Sequence, residues 1–112
     1  MRLSDENIKG LNAHHLMNKD AVSAVAVTIE ELNELSQVLA KFIRYRDDYQ
    51  GMTTDCPWRK SLVVEISDVI VMLQYVTTHF GVTDEEINQR IAQVIERYRI
   101  QGGDKFGQRA ID

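Results

Sequence analysis

The stretch SLVVEISDVIVML, Ser61 to Leu73, decides how this chain folds. It is apolar almost throughout, yet Glu65 and Asp68 stand in its middle, three residues apart. An ionised carboxylate in apolar surroundings is costly unless it is paired or bound to a cation. Side chains on a helix advance by about 100° per residue. On a helix through this stretch, Leu62, Ile66, Val69, Leu73 and Val76 form the expected main apolar stripe. Glu65 falls beside Val69, Met72 and Val76, and Asp68 falls between Met72 and Tyr75. Ser67, Gln74 and Thr78 mark the polar side. Both acids are therefore expected at the margin of the buried face, turned toward another helix.

That helix is expected to run from near Pro57 to about Phe80. Proline suits the first helical turn, with Asp55 or Thr54 before it as the cap. Gly81 suits the position just past the end. The stretch DDYQGMTTDCP, residues 47–57, reads as the loop that precedes it. Upstream, a long second helix is expected from Asn18 or Asp20 to about Arg46, with a possible break between Lys19 and Val27. Its apolar spacing is Val22, Val25, Ile29, Leu32, Leu39 and Ile43. A short first helix is expected from Ser4 to about Met17, with Ser4 as N-cap and Asp5 and Glu6 at the positive end of the dipole. Gly10 weakens it. Downstream, TDEE reads as a capping box, Thr83 with Glu86, that opens a fourth helix. Ile87, Ile91, Val94, Ile95 and Tyr98 share one side of it, and Gly102 and Gly103 end it.

No stretch alternates in the manner of a strand. The expected fold is all-α, an antiparallel four-helix bundle. One domain over residues 1–112 is expected, with a core over about 18–100 and a loosely held tail at 103–112. The 112 residues carry 13 Lys and Arg against 17 Asp and Glu, a net charge of −4. That balance argues against a general nucleic-acid binder. Cys56 is the single cysteine, which excludes an internal disulfide. The N-terminus shows no signal-peptide pattern, and the acids at 65 and 68 break the longest apolar run short of the ~20 residues that span a bilayer. The expectation is a cytoplasmic protein with no membrane partner.

The second helix repeats the acid pattern of the third. In EELNEL, Glu31 and Glu34 lie three apart, on the strip shared with Val27 and Val38. Glu30 points further round, toward solvent. Residues three apart on a helix have neighbouring side chains, with Cβ atoms roughly 5–6 Å apart. Two such pairs on facing helices would gather four carboxylates around one point. A buried cluster of that kind repels itself, and hard divalent cations relieve it. Mg²⁺ suits an all-oxygen donor set, with Mn²⁺ as a substitute. The plainer reading is that each pair solvates a helix surface. Glu-x-x-His pairs are missing, which argues against a ferritin-like di-iron centre.

At EELNEL and EISDV the chain resembles the MazG-like all-α nucleoside triphosphate pyrophosphohydrolases, whose pattern is ExxE on one helix and ExxD on a later one. Here it reads Glu31-x-x-Glu34 and Glu65-x-x-Asp68, with Leu32, Leu35, Ile66 and Val69 flanking. LAKFIR, Leu39 to Arg44, resembles the stretch after the first motif in phage-type members. The likeness covers roughly Ile29 to Tyr98. The gap between the two halves is slightly longer than usual in the family, and the basic residues past the fourth helix align poorly with its phosphate-binding region.

The resemblance implies hydrolysis of a nucleoside triphosphate to the monophosphate and pyrophosphate. Glu31, Glu34, Glu65 and Asp68 would be the metal-binding and catalytic set, and water would attack the α-phosphorus. It also implies a homodimer or a tetramer built from dimers. Lys41 and Arg44 are candidate phosphate contacts, with Arg97, Arg99 and Lys105 weaker; solvated surface charge is the plainer reading of each. Trp58 is a candidate for stacking on a base, against the commoner role of a packing anchor. His14, His15 and His79 lack metal-pair spacing and read as structural. The alternative to an enzyme is a non-catalytic helical oligomerisation or interaction module.

Overall fold

The structure is a computed structural model that describes residues 3–13, 20–45 and 54–101. All regular structure among them is helical: α1 (Asp5–Ala13), α2 (Ala21–Tyr45), α3 (Pro57–Phe80) and α4 (Asp84–Gln101). The chain divides into two compact units, Met1–Phe80 and Gly81–Asp112.

The helix starts follow capping chemistry. Ser4 Oγ accepts from the Asn7 N–H at 3.1 Å and caps α1. Asp20 Oδ1 accepts from the Ser23 N–H at 2.7 Å and caps α2, which holds the Asp20 carboxyl below its ordinary pKa. From Ala21 the helix is continuous to Tyr45, so the break considered upstream of Val27 does not occur within it. At α3 the expected cap moves. Pro57 is the first helical residue, and the carbonyl of Cys56, rather than of Asp55 or Thr54, accepts the first helical bond, from the Lys60 N–H at 3.1 Å. Gly81 ends α3 with φ of 64°, the left-handed geometry that glycine reaches without a Cβ penalty. Of the expected Ser4–Met17 helix, α1 covers Asp5–Ala13, and residues 14–17 lie outside the described residues. Most of the 47–57 loop, and the 103–112 tail, lie outside the described residues.

In the first unit α2 and α3 pack along their length in opposite chain order. Ala24, near the start of α2, meets Met72 and Tyr75, late in α3. Trp58, at the start of α3, reaches Val38 and Phe42, late in α2. Leu11 of α1, Val27 and Val71 pack against the Ala24–Met72–Tyr75 core.

The faces that meet follow the apolar spacing on α3 and depart from it on α2. On α3 the buried residues are Val69, Met72 and Tyr75, while Leu73 is exposed. Leu62, Ile66 and Val76 of the expected stripe are half-buried, so the contact face is the expected one, shifted off Leu73 toward Met72 and Tyr75. On α2 the buried residues are Ala24 and Thr28, with Glu31, Leu35 and Val38 continuing the line as half-buried side chains. The larger stripe of the sequence reading faces outward, with Val22 at 78% and Ile43 at 75% exposure. Ala24 packs against Met72 and Tyr75, and the Thr28 hydroxyl donates to the Ala24 carbonyl at 2.7 Å, so its burial leaves no orphan.

Taken whole, α3 is long and apolar enough to cross a bilayer by length and composition, despite its mid-length acids. The burial of Val69, Met72 and Tyr75, beside those acids, suits the core of a helical pair.

The second unit contains α4. Thr83 and Glu86 form the expected capping box: Thr83 Oγ1 accepts from the Glu86 N–H at 3.1 Å, and Glu86 Oε1 accepts from the Thr83 N–H at 3.3 Å. Arg99 forks onto Glu96 through Nε at 3.0 Å and Nη2 at 2.6 Å. This exposed pair contributes little to stability. Ile87, Ile91 and Ile95 line one side of α4 and are exposed.

Candidate metal centre

The acids lie along the α2–α3 seam, Glu31 and Glu65 half-buried and Glu34 and Asp68 exposed at its edge. Glu31 continues the buried line of Ala24 and Thr28, one turn further along α2. Glu65 and Asp68 flank the buried face of α3, next to Val69 and Met72. One carboxylate oxygen from each of Glu31, Glu65 and Asp68 lies within 4.8 Å of the other two. A single ion with ordinary metal–oxygen distances of about 2.0–2.6 Å fits among donors so spaced.

Glu34 stands outside this tightest group and is exposed. It remains close enough to act on the other acids. Burial pushes the Glu31 carboxyl above its ordinary pKa, and the charges of Glu34, Asp68 and Glu65 push it further, with a hydrogen bond shared with Glu34 adding to the rise. Burial also raises Glu65, followed by the charge of Glu34, their shared hydrogen bond and the charge of Asp68. Each of these causes disfavours the ionised form.

Hydrogen-bond bookkeeping sharpens the point. Oε2 of Glu31 and Oε2 of Glu65 are both covered and lack a partner among the described residues. An ionised carboxylate only accepts, so its neighbours in an acid cluster have nothing to donate to it. A proton on the carboxyl, a water or a cation would satisfy these oxygens. The one ion pair among the described residues is Arg99 with Glu96, on α4, so no described lysine or arginine neutralises the cluster.

The candidate substrate contacts scatter more widely. Lys41 is exposed and lies seven residues, two turns, beyond Glu34 on nearly the same strip of α2. Arg44 is exposed too; its guanidinium lies 5.6 Å from the centre of the Tyr45 ring, a cation–π contact at the end of α2. Arg97 belongs to the second unit, where it lines a hollow along α4 with Gln93, Glu96, Ile100 and Gln101. Trp58 is half-buried. Its indole N–H donates to the Val38 carbonyl at 2.7 Å, and its ring centre is 5.3 Å from that of Phe42, inclined at 37°. This is the anchor role weighed for it from sequence. His79 is half-buried, with a covered Nε2 that lacks a partner among the described residues. His14, His15 and Lys105 lie outside the described residues.

Sequence reasoning did not anticipate Val38 as the acceptor of the Trp58 N–H, nor Thr28 as a contact residue. A backbone acceptor carries no side-chain signature. The only hint for Thr28 was its position three residues before Glu31.

No family model, curated protein or solved structure matches the chain.

Proposed function

We propose that the chain is a Mg²⁺-dependent nucleoside triphosphate pyrophosphohydrolase of the MazG-like all-α type, which hydrolyses an NTP or dNTP to the monophosphate and pyrophosphate. One observation carries the reading. Glu31, Glu65 and Asp68, drawn from both halves of the ExxE and ExxD pattern, converge across the α2–α3 seam without a basic partner. Oxygen-only donors, with room left for water and phosphate oxygens, suit Mg²⁺ and its substitute Mn²⁺.

In this reading Glu31, Glu65 and Asp68 hold the cation. A bound Mg²⁺ supplies neutralisation of phosphate charge and a more acidic water. Glu34, exposed beside the group and coupled to Glu31 and Glu65, accepts the proton of the attacking water. The water oxygen bonds to the α-phosphorus, the bond to the bridging oxygen breaks, and pyrophosphate leaves. Lys41 meets phosphate oxygens from two turns along α2, with Arg44 and Arg97 as further candidates.

The same reading makes the fold an antiparallel four-helix bundle and the assembly a cytoplasmic homodimer or a tetramer of dimers. Exposed apolar side chains on α2 and α3, among them Ile29, Leu32, Leu39, Val63 and Val64, support the assembly. They also favour the second reading, a non-catalytic helical association module.

The deciding experiment incubates the protein with Mg²⁺ and a panel of ribo- and deoxyribonucleoside triphosphates. Monophosphate with pyrophosphate is the expected product pair. Diphosphate with orthophosphate would point to attack at the γ-phosphorus and overturn the proposed chemistry. No turnover of any nucleotide would leave the association module as the better reading.

A further inference from the structure

The carboxylate cluster loads the seam that carries it. Ionised, Glu31 and Glu34 on α2 repel Glu65 and Asp68 on α3, and the repulsion drives the two helices apart. Contacts on both sides of the cluster must hold them together. On one side lies the buried set Ala24, Thr28, Val69, Met72 and Tyr75. On the other side no described side chain of α2 or α3 is buried. Leu35, Val38, Trp58 and Leu62 are half-buried there, and every residue from 39 to 45 is exposed.

In that thin stretch the Trp58 indole N–H donates to the Val38 carbonyl. Its placement follows from helical geometry. Trp58 precedes Glu65 by seven residues, two turns on the same face of α3. Val38 follows Glu34 by four, one turn along α2. A bond from a rigid ring to a main-chain carbonyl refers α3 to the axis of α2 itself, not to a mobile side chain. It therefore limits sliding as well as separation. Phe42 packs against the indole ring from the next turn.

We infer that Trp58 is a positioning residue of the carboxylate site: its hydrogen bond to Val38 sets the register at which Glu31, Glu65 and Asp68 converge. The inference rests on the reading of that cluster as a divalent-cation site. The Val38 carbonyl lies inside α2 and keeps its own helical donor when the indole is removed. Loss of the indole N–H thus leaves no orphaned acceptor, and its effect on cation affinity separates from its effect on stability.

The test uses Mn²⁺ as the probe, titrated into the full chain and followed by the electron paramagnetic resonance of the free ion. Two forms remove the donor: Trp58→Phe, and the chain carrying 3-benzothienylalanine at position 58, which keeps the shape of the ring system and lacks the N–H. Both are expected to bind Mn²⁺ roughly 3- to 10-fold more weakly, the scale of one hydrogen bond. Asp20→Ala serves as the control. It removes the α2 cap away from the seam, and it is expected to lower the melting temperature while leaving Mn²⁺ affinity unchanged. Should Trp58→Phe fail to fold, the benzothienyl form decides. Wild-type affinity in that form overturns the inference and leaves the cation site standing. Equal weakening in Asp20→Ala also overturns it, since general destabilisation then suffices. No Mn²⁺ binding by the wild-type chain removes the cation-site reading, and the inference with it.

Discussion

Glu31 of α2 and Glu65 of α3 face each other across the helix seam, each with its Oε2 covered and without a partner among the described residues. Both carboxyls are raised above their ordinary pKa of 4.5, chiefly by burial and then by neighbouring acids. The folded chain therefore binds more protons than the unfolded chain between that ordinary value and the raised values. Unfolding stability then falls as pH rises. In chelator, the stabilisation from these two groups is fully present below pH 4.5 and is lost as pH climbs through the raised values. Thermal melts in chelator across this window are expected to show it, once corrected for carboxylates such as Asp20, whose shift runs the other way. A melting temperature that rises steadily through the window would contradict the arrangement.

The acids are expected to cost stability when no cation is bound. Glu65→Gln removes a charge from the repelling set and introduces an amide that can donate to Glu34. Asp68→Asn removes a charge at the other end of the pair. In chelator, both variants are expected to melt a few degrees above wild type, and Mg²⁺ is expected to raise wild type but not the variants. Hydrolysis is expected to be lost in both. If both melt well below wild type in chelator, the acids are structural partners of a base, and the cation reading loses its physical support.

The outward faces of α2 and α3 predict self-association. Ile29, Leu32, Leu39, Val63 and Val64 are exposed, and several exposed apolar side chains on two paired helices suit an association surface. Sedimentation at micromolar concentration is expected to give a dimer or a tetramer. Placing a charge on this surface, as in Leu32→Glu, is expected to shift the population toward monomer. A wild-type chain that sediments as a monomer would refute the prediction.

Removal of the α4 cap has a defined size. Thr83→Ala loses the acceptor for the Glu86 N–H and the partner of Glu86 Oε1. The expected cost is about 1 kcal/mol, read as a lower denaturation midpoint with reduced helicity. Thr83→Ser, which keeps the hydroxyl, is expected to recover most of it. An unchanged midpoint in the alanine variant would mean that α4 does not unfold with the transition being followed.

Local signals in the sequence determined where the helices begin and end. Ser4, Asp20, Pro57, Gly81 and the Thr83–Glu86 box each act within one turn, so their chemistry is legible without the fold. The ExxE and ExxD spacing likewise placed each acid pair on one side of its own helix. Which side faced the partner was a tertiary decision. Apolar periodicity pointed to Ile29, Leu32 and Leu39 on α2, which are exposed, and to the stripe through Val69 on α3, which is buried. The buried residues of the pair are Ala24 and Thr28 on α2 and Val69, Met72 and Tyr75 on α3. An amphipathic helix with several apolar sides has no single face fixed by hydropathy. The pairing of α2 with α3 selected one, and it brought Glu31, Glu65 and Asp68 together while leaving Glu34 outside the group. The bond from Trp58 to Val38 belongs to the same class, because a main-chain acceptor twenty residues away acquires meaning only when the two helices are paired.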